Sequence, residues 1–196
     1  RLHEGIVGMA VSNFIQSVLD AAKGEQKSIG WYRGKIRDFG NPGVMDLIRD
    51  GQRAGGPNFG TLNMFVYSPK YKATLPFYDT FPLVLPISAT ANGFVGLNFH
   101  YLAIPTRVAL LDRLTQSGSA TASGRRFDEN SSILTDYSSI KNIPMVKPTI
   151  KQYLYGYVKS QFRIVTPEEW VVAVLLPVQR FKKASASTVY AASRKL

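Results

Sequence analysis

Apolar residues in the first part of the chain follow helical spacing. Ile6, Val7, Met9, Ala10, Phe14, Val18, Leu19 and Ala22 recur three and four apart, predicting an amphipathic helix over residues 4–22. Gly5 and Gly8 weaken its start and Lys23-Gly24 supplies a stop. In Lys27–Arg37, Trp31 and Tyr32 interleave with Lys27, Arg33, Lys35 and Arg37. Such a run can stack on bases and hold phosphates, but it equally describes a helix resting its aromatic face on a core, the reading favoured here. Gly40-Asn41-Pro42-Gly43 is a turn, Val44, Leu47 and Ile48 start a short helix, and residues 52–60 form a glycine-rich loop. That loop lacks the Lys-Ser/Thr of a phosphate-binding loop.

The pattern changes to strand period in the centre, and residues 61–114 carry the features of a folding core. Leu62–Tyr67 alternates, with Leu62, Met64 and Val66 on one face and Asn63, Phe65 and Tyr67 on the other. Pro76 and Pro82 impose an extended path on the segment between them. Leu83–Ile87 reads as a strand in which Pro86 marks an edge or a bulge. Asn92-Gly93 turns the chain into a second strand, Phe94–Phe99, completing a hairpin. Pro105 then opens a helix with Val108, Leu110, Leu111 and Leu114 on its apolar side and Arg107 and Arg113 on its polar side.

Thr115–Asn130 is Ser/Gly-rich and predicts a flexible loop. Ser131–Ile140 predicts a short helix, and Pro144 and Pro148 bracket an extended basic linker holding Lys141 and Lys147. In Thr149–Ser160, Ile150, Tyr153, Leu154, Tyr157 and Val158 fit a helix with Lys151 and Lys159 outside. Phe162–Val165 and Trp170–Leu176 read as strands around Thr166-Pro167-Glu168-Glu169. That turn could instead cap a helix through Trp170, but the β-branched density favours a strand. A polar tail closes the chain.

Together these elements predict an α+β fold, a small antiparallel sheet flanked by helices in a single domain with extended arms; a small barrel is also compatible. Residues 1–60 form an N-terminal helical region with its loop. Residues 61–196 form the core, with the flexible 115–130 loop and the basic tail.

Charge adds the first functional constraint. The chain of 196 residues carries 24 Lys and Arg against 13 Asp and Glu, a formal net charge of +11, which favours a polyanion or an acidic protein surface as partner. Arg33, Lys35 and Arg37, the loop pair Arg125 and Arg126, and the C-terminal Arg180, Lys182, Lys183, Arg194 and Lys195 are the candidate contacts for nucleic acid or an acidic partner. A basic but otherwise ordinary soluble protein is the plain alternative. With no cysteine, disulfides, thiolate metal sites and cysteine nucleophiles are excluded. No apolar run approaches the ~18 residues that cross a bilayer, and the N-terminus lacks a signal-peptide arrangement. The chain begins at Arg1 without methionine, which fits either loss of an initiator residue or a start inside a longer product.

Candidate chemistry is thin. His100 and Asp79 could be offered as an acid–base pair, but a strand-end histidine satisfied by a backbone carbonyl and an Asp fixing a turn between prolines are plainer explanations. The one other histidine is His3. Asp20 with Glu25 and Lys27 mimics the carboxylate–lysine set of metal-dependent nucleases, although a solvated helix face explains the same residues. No catalytic residue, cofactor or metal is expected.

Several blocks occurring in order carry a resemblance: Tyr67–Pro86, Gly93–Leu102, Arg107–Leu114, and Glu169–Leu176 followed by Pro177 and Gln179–Lys183. Together they resemble the short virion proteins of T-even-like myoviruses, cyanophages especially, described as DNA end protector proteins. The likeness covers about two thirds of the chain and is weakest in the Ser/Gly loop and at the N-terminus. It implies a non-enzymatic structural protein of the virion that binds the packaged DNA end, shields it from exonuclease and assists head–tail joining. Its implied partners are other virion proteins of neck, tail or baseplate and the DNA end, with no membrane and with multiple copies in a symmetric assembly. An architectural subunit without a DNA role is the alternative, and a nuclease the third.

Overall fold

The computed structural model describes residues 21, 29–39, 52–115, 132–133 and 136–196. The expected helices over 4–22 and from Val44, the turn at Gly40–Gly43, His3, Asp20, Glu25, Lys27 and the interior of the Ser/Gly loop lie outside them. Among the described residues, helices pack on an open six-stranded antiparallel sheet, so the α+β expectation holds and the barrel alternative does not.

In chain order the sheet strands are β1 (Arg53–Ala54), β2 (Leu62–Met64), β4 (Leu83–Thr90), β5 (Gly93–Asn98), β6 (Ile150–Leu154) and β7 (Phe162–Val165). Their spatial order is β1-β7-β2-β4-β5-β6. β3 (Tyr78–Asp79) pairs separately with β8 (Phe181–Lys182). The helices are α1 (Ile29–Phe39), α2 (Ile104–Leu114), α3 (Tyr137–Ile140), α4 (Trp170–Leu175) and α5 (Ala186–Ser193).

The alternation read from Leu62 to Tyr67 divides the interior into two. Leu62 and Met64 join Leu83, Leu85 and Leu97 beneath α1, α2 and α4, whereas Phe65 and Tyr67 join Phe94, Tyr153 and Phe162 on the opposite face. Successive side chains of extended backbone point to opposite faces, so β2 and the extended segment that follows it together feed the two clusters. On the second face Phe65 meets Tyr153 edge-on at 5.2 Å and Phe162 at 4.7 Å between ring centroids. In α1, Tyr32 and Ile36 are buried and Arg33 and Arg37 exposed, as the core reading of that segment requires.

The Asn92-Gly93 hairpin forms as expected between β4 and β5. Gly93 has a second role there, since a Cβ at this position would lie 1.9 Å from the Tyr153 carbonyl oxygen of β6. Pro86 marks a bulge, the register shifting between it and Ser88, but β4 lies inside the sheet and is not an edge. β2 pairs with β4 only at Leu83 and Val84, so the missing N–H of Pro86 falls where that neighbour has ended.

Four expectations fail. Ile150–Leu154 is strand β6, followed by a 3-10 turn at Tyr155–Tyr157, and not a helix. Its aromatic and β-branched residues complete the open edge of β5, and Gly156 disfavours helix propagation. Trp170–Leu175 is helix α4 and not a strand. Glu169 accepts from the Thr166 backbone N–H at 3.1 Å while the Thr166 side chain accepts from the Glu169 N–H, a capping box that opens the turn leading into the helix. All six residues of α4 are buried, so complete burial explains the apolar density that resembled a strand. Pro144–Thr149 is a 3-10 helix in place of an extended linker, and the polar tail contains α5, capped by Ser185.

Arg107 is the fifth correction. It is wholly buried, at 0% exposure, and not on a solvated face of α2. Its guanidinium donates to the carbonyls of Leu102 at 2.8 Å and Leu176 at 3.3 Å, to Gln179 Oε1 at 3.0 Å and to the Tyr190 hydroxyl at 2.8 Å. It therefore ties α2 to the end of α4 and to α5. Burial pushes its pKa down, opposed by Tyr190 and Asp79.

Candidate nucleic-acid interface

The second face of the sheet opens into a groove of about 440 Å³. Its wall comes from Tyr67, the loop Pro69–Phe77, Tyr78, Tyr101 and strand β6 with Lys151 and Tyr153. Each part is held by an identifiable contact. Tyr67 accepts at its hydroxyl from the Leu154 N–H at 3.1 Å, and Phe77 and Phe181 pack against the Tyr101 ring at 6.0 and 5.3 Å. The loop is latched from across the chain, where Lys183 Nζ donates to the carbonyls of Ala73 and Leu75 at 2.9 and 2.8 Å. Lys183 has φ 69°, a left-handed conformation unusual for a side-chain-bearing residue, directly after the β3–β8 pairing.

Lys151 is the central charge of the groove. Its ammonium lies 4.1 Å from the centroid of the Tyr101 ring, a cation–π contact, and it makes no salt bridge to a described residue. Burial pushes its pKa down to about 8, because loss of water disfavours the charged form and no carboxylate offsets it. The tyrosines respond in the opposite direction. Tyr101, Tyr153 and Tyr67 are all raised, burial being the largest cause in each.

Asp79, which also lines the groove, is already engaged. It accepts from the backbone N–H groups of Phe81 and Arg180, both at 3.0 Å, from Asn98 Nδ2 at 3.3 Å, and from His100 Nδ1 at 2.8 Å. The expected backbone partner of His100 is thus replaced by a carboxylate. Burial acts first on both groups, lowering His100, while its partner and the hydrogen bonds around it bring Asp79 below its ordinary value. The arrangement is a carboxylate beside a neutral imidazole that donates from Nδ1. His100 is inside the body and lines no part of the groove.

The predicted cations separate into groups. Arg180, Lys182 and Lys183 are exposed on and around β8, which pairs with β3; Arg180 and Lys182 line a separate cleft with Gln179 and Ser185, whereas Lys70 lines the groove itself and Lys72 is exposed on the same loop. Arg194 and Lys195 end α5, and Arg194 lines a different cleft with Lys141 and Lys147. Arg33, Lys35 and Arg37 lie on α1, with Lys35 Nζ 5.8 Å from the Trp31 ring centroid, and none lines the groove. Arg125 and Arg126 are outside the described residues. Sequence reasoning missed Lys151, Tyr101, Lys70 and Tyr71. The cation–aromatic run Lys70-Tyr71-Lys72 was a usable signal, and assigning Ile150–Leu154 as a strand would have drawn attention to Lys151.

Residues 9–195 match the family model described as Phage T4 terminal DNA protecting protein. The chain belongs to that family. No curated protein and no solved structure matches it. Among the described residues of this terminal DNA protecting family member, no group of three or more His, Asp or Glu side chains could hold a metal ion. No described helix is long and apolar enough to cross a membrane.

Proposed function

We propose that this protein occupies a DNA terminus in the phage particle and shields it by steric cover and phosphate contact, without chemistry of its own. The observation that carries the reading is an aromatic groove lined by Lys70 and Lys151, with Lys72 exposed on the same loop and Arg180, Lys182 and Lys183 exposed on the ribbon that pairs with Tyr78 of its wall. Cations hold the backbone irrespective of sequence, and aromatic faces accept bases. Protection needs no more than this, and family membership supports it.

The test is digestion of linear duplex DNA by a processive exonuclease with and without the purified protein. Protection at low salt that weakens as salt rises, with a log–log slope of about −0.9 per phosphate contacted, is the expected result. Unprotected DNA at low salt rejects the proposal.

A second reading has its own observation. The cleft of Leu102, Ile143, Met145, Lys141, Lys147 and Arg194 joins an apolar floor to a cationic rim, which suits an acidic segment of a neighbouring neck, tail or baseplate protein and would serve head–tail joining. Copies arranged symmetrically in the virion would then use the cleft and the groove for different partners. Substituting Lys141 and Lys147 together should leave exonuclease protection intact while lowering incorporation into particles.

A further inference from the structure

We infer that the groove grips one unpaired nucleotide at the DNA terminus, its base against Tyr71 and Phe77 and its phosphate on Lys151. The inference rests on the end-binding reading and adds which part of the DNA is held. Lys151 is a partly buried cation whose shift has no electrostatic partner among its causes. Such a group is complementary to an anion, and Tyr101 beneath it already fixes where the ammonium sits. Asp79, the one carboxylate among the described lining residues, has its oxygens occupied by His100, Asn98 and two backbone donors, so it does not neutralise the lysine.

The rim supplies the other half of the site. Tyr71 is 61% exposed, with Lys70 5.2 Å from its ring centroid, and half-buried Phe77 lines the same groove. An aromatic face left in water beside two lysines fits a nucleobase with its backbone. Bases inside a duplex are stacked on both sides and cannot enter a groove without being extruded; an unpaired terminal base enters at least cost. The groove thereby distinguishes an end from the interior of the helix, which the surrounding cations cannot do.

The full chain is titrated by fluorescence anisotropy against three DNAs of one sequence: a closed circle, a blunt linear duplex, and a linear duplex with a short single-stranded overhang. The overhang should bind about tenfold tighter than the circle, the scale of one stacked base. Lys151→Met and Tyr71→Ala should each erase that margin, bringing the overhang and the circle to one affinity. Arg180→Ser with Lys182→Ser should weaken all three DNAs alike. Unchanged thermal melts establish that the groove variants fold. The inference fails if the native protein does not prefer the overhang, as it would if the groove seated a protein segment, or if both groove variants keep the preference. A native protein that binds none of the three overturns the end-binding reading as well.

Discussion

The imidazole of His100 and the carboxylate of Asp79 are 2.8 Å apart with both side chains inside the protein. Burial holds His100 below its ordinary 6.5, so the folded protein resists a proton that the unfolded chain accepts. Its contribution to stability is complete above the unfolded value and is lost as pH falls below 6.5. Asp79, lowered from 3.8, loses its contribution only in more acid solution. Urea denaturation at a series of pH values should show stability falling below pH 6.5, with up to about 1.4 kcal/mol per pH unit from one histidine. His100→Gln should flatten that limb. An unchanged slope in the variant would assign the acid sensitivity elsewhere.

Arg107 joins parts of the chain distant in sequence, and its hydrogen-bond partners among the described residues include no carboxylate. Arg107→Met preserves bulk but strips the carbonyls of Leu102 and Leu176 of this donor. It should lower stability by about 3 kcal/mol, against about 1 kcal/mol for Tyr190→Phe, which loses one hydrogen bond. Denaturant midpoints at neutral pH measure both.

The hairpin glycines are fixed by space. A Cβ at Gly96 would meet Val84 Cγ1 at 2.3 Å and the Leu85 carbonyl oxygen at 2.9 Å, whereas one at Gly156 meets nothing within 4 Å. Gly93→Ala and Gly96→Ala should each cost about 3 kcal/mol or more, and Gly156→Ala less than about 0.5 kcal/mol. Comparison of thermal midpoints is sufficient.

Glu169 both caps the segment leading into α4 and receives Arg163 Nη2 at 2.9 Å. Glu169→Ala should destabilise by about 2–3 kcal/mol and Thr166→Ala by about 1 kcal/mol, because only the first also withdraws the carboxylate from a buried guanidinium. Equal losses in the two variants would show that the ion pair contributes little.

If Lys151 holds phosphate, its proton is required for binding. Affinity for overhang DNA should be full below pH 8 and decline as pH rises through about 8, where the ammonium of the free protein titrates. Lys151→Met should bind weakly without that decline.

Local chemistry made part of this fold readable in advance. Asn92-Gly93 announces a turn whatever surrounds it, and Pro105 followed by apolar residues announces α2. β6 and α4 were exchanged because their residue types suit either state. The open edge of β5 decides the first, and a capping box with burial on all sides decides the second. Of these, only the spacing from Thr166 to Glu169 is visible along the chain. The groove was less accessible still, since Tyr67, Tyr101 and Lys151 converge only after the sheet has formed. The C-terminal cations were recognisable as a group, but their position beside an aromatic wall follows from the pairing of β3 with β8.

The Lys183 latch alters how deletion experiments should be interpreted. Trimming the chain before Arg180 takes away more than positive charge: it removes the strand partner of Tyr78, a backbone donor to Asp79 and both ties to the Ala73–Leu75 backbone. A truncated protein that no longer guards DNA would therefore report a collapsed opposite wall as much as a lost electrostatic tail. Point substitutions at Arg180 and Lys182 separate those causes, because their side chains can be shortened while the ribbon they belong to stays paired.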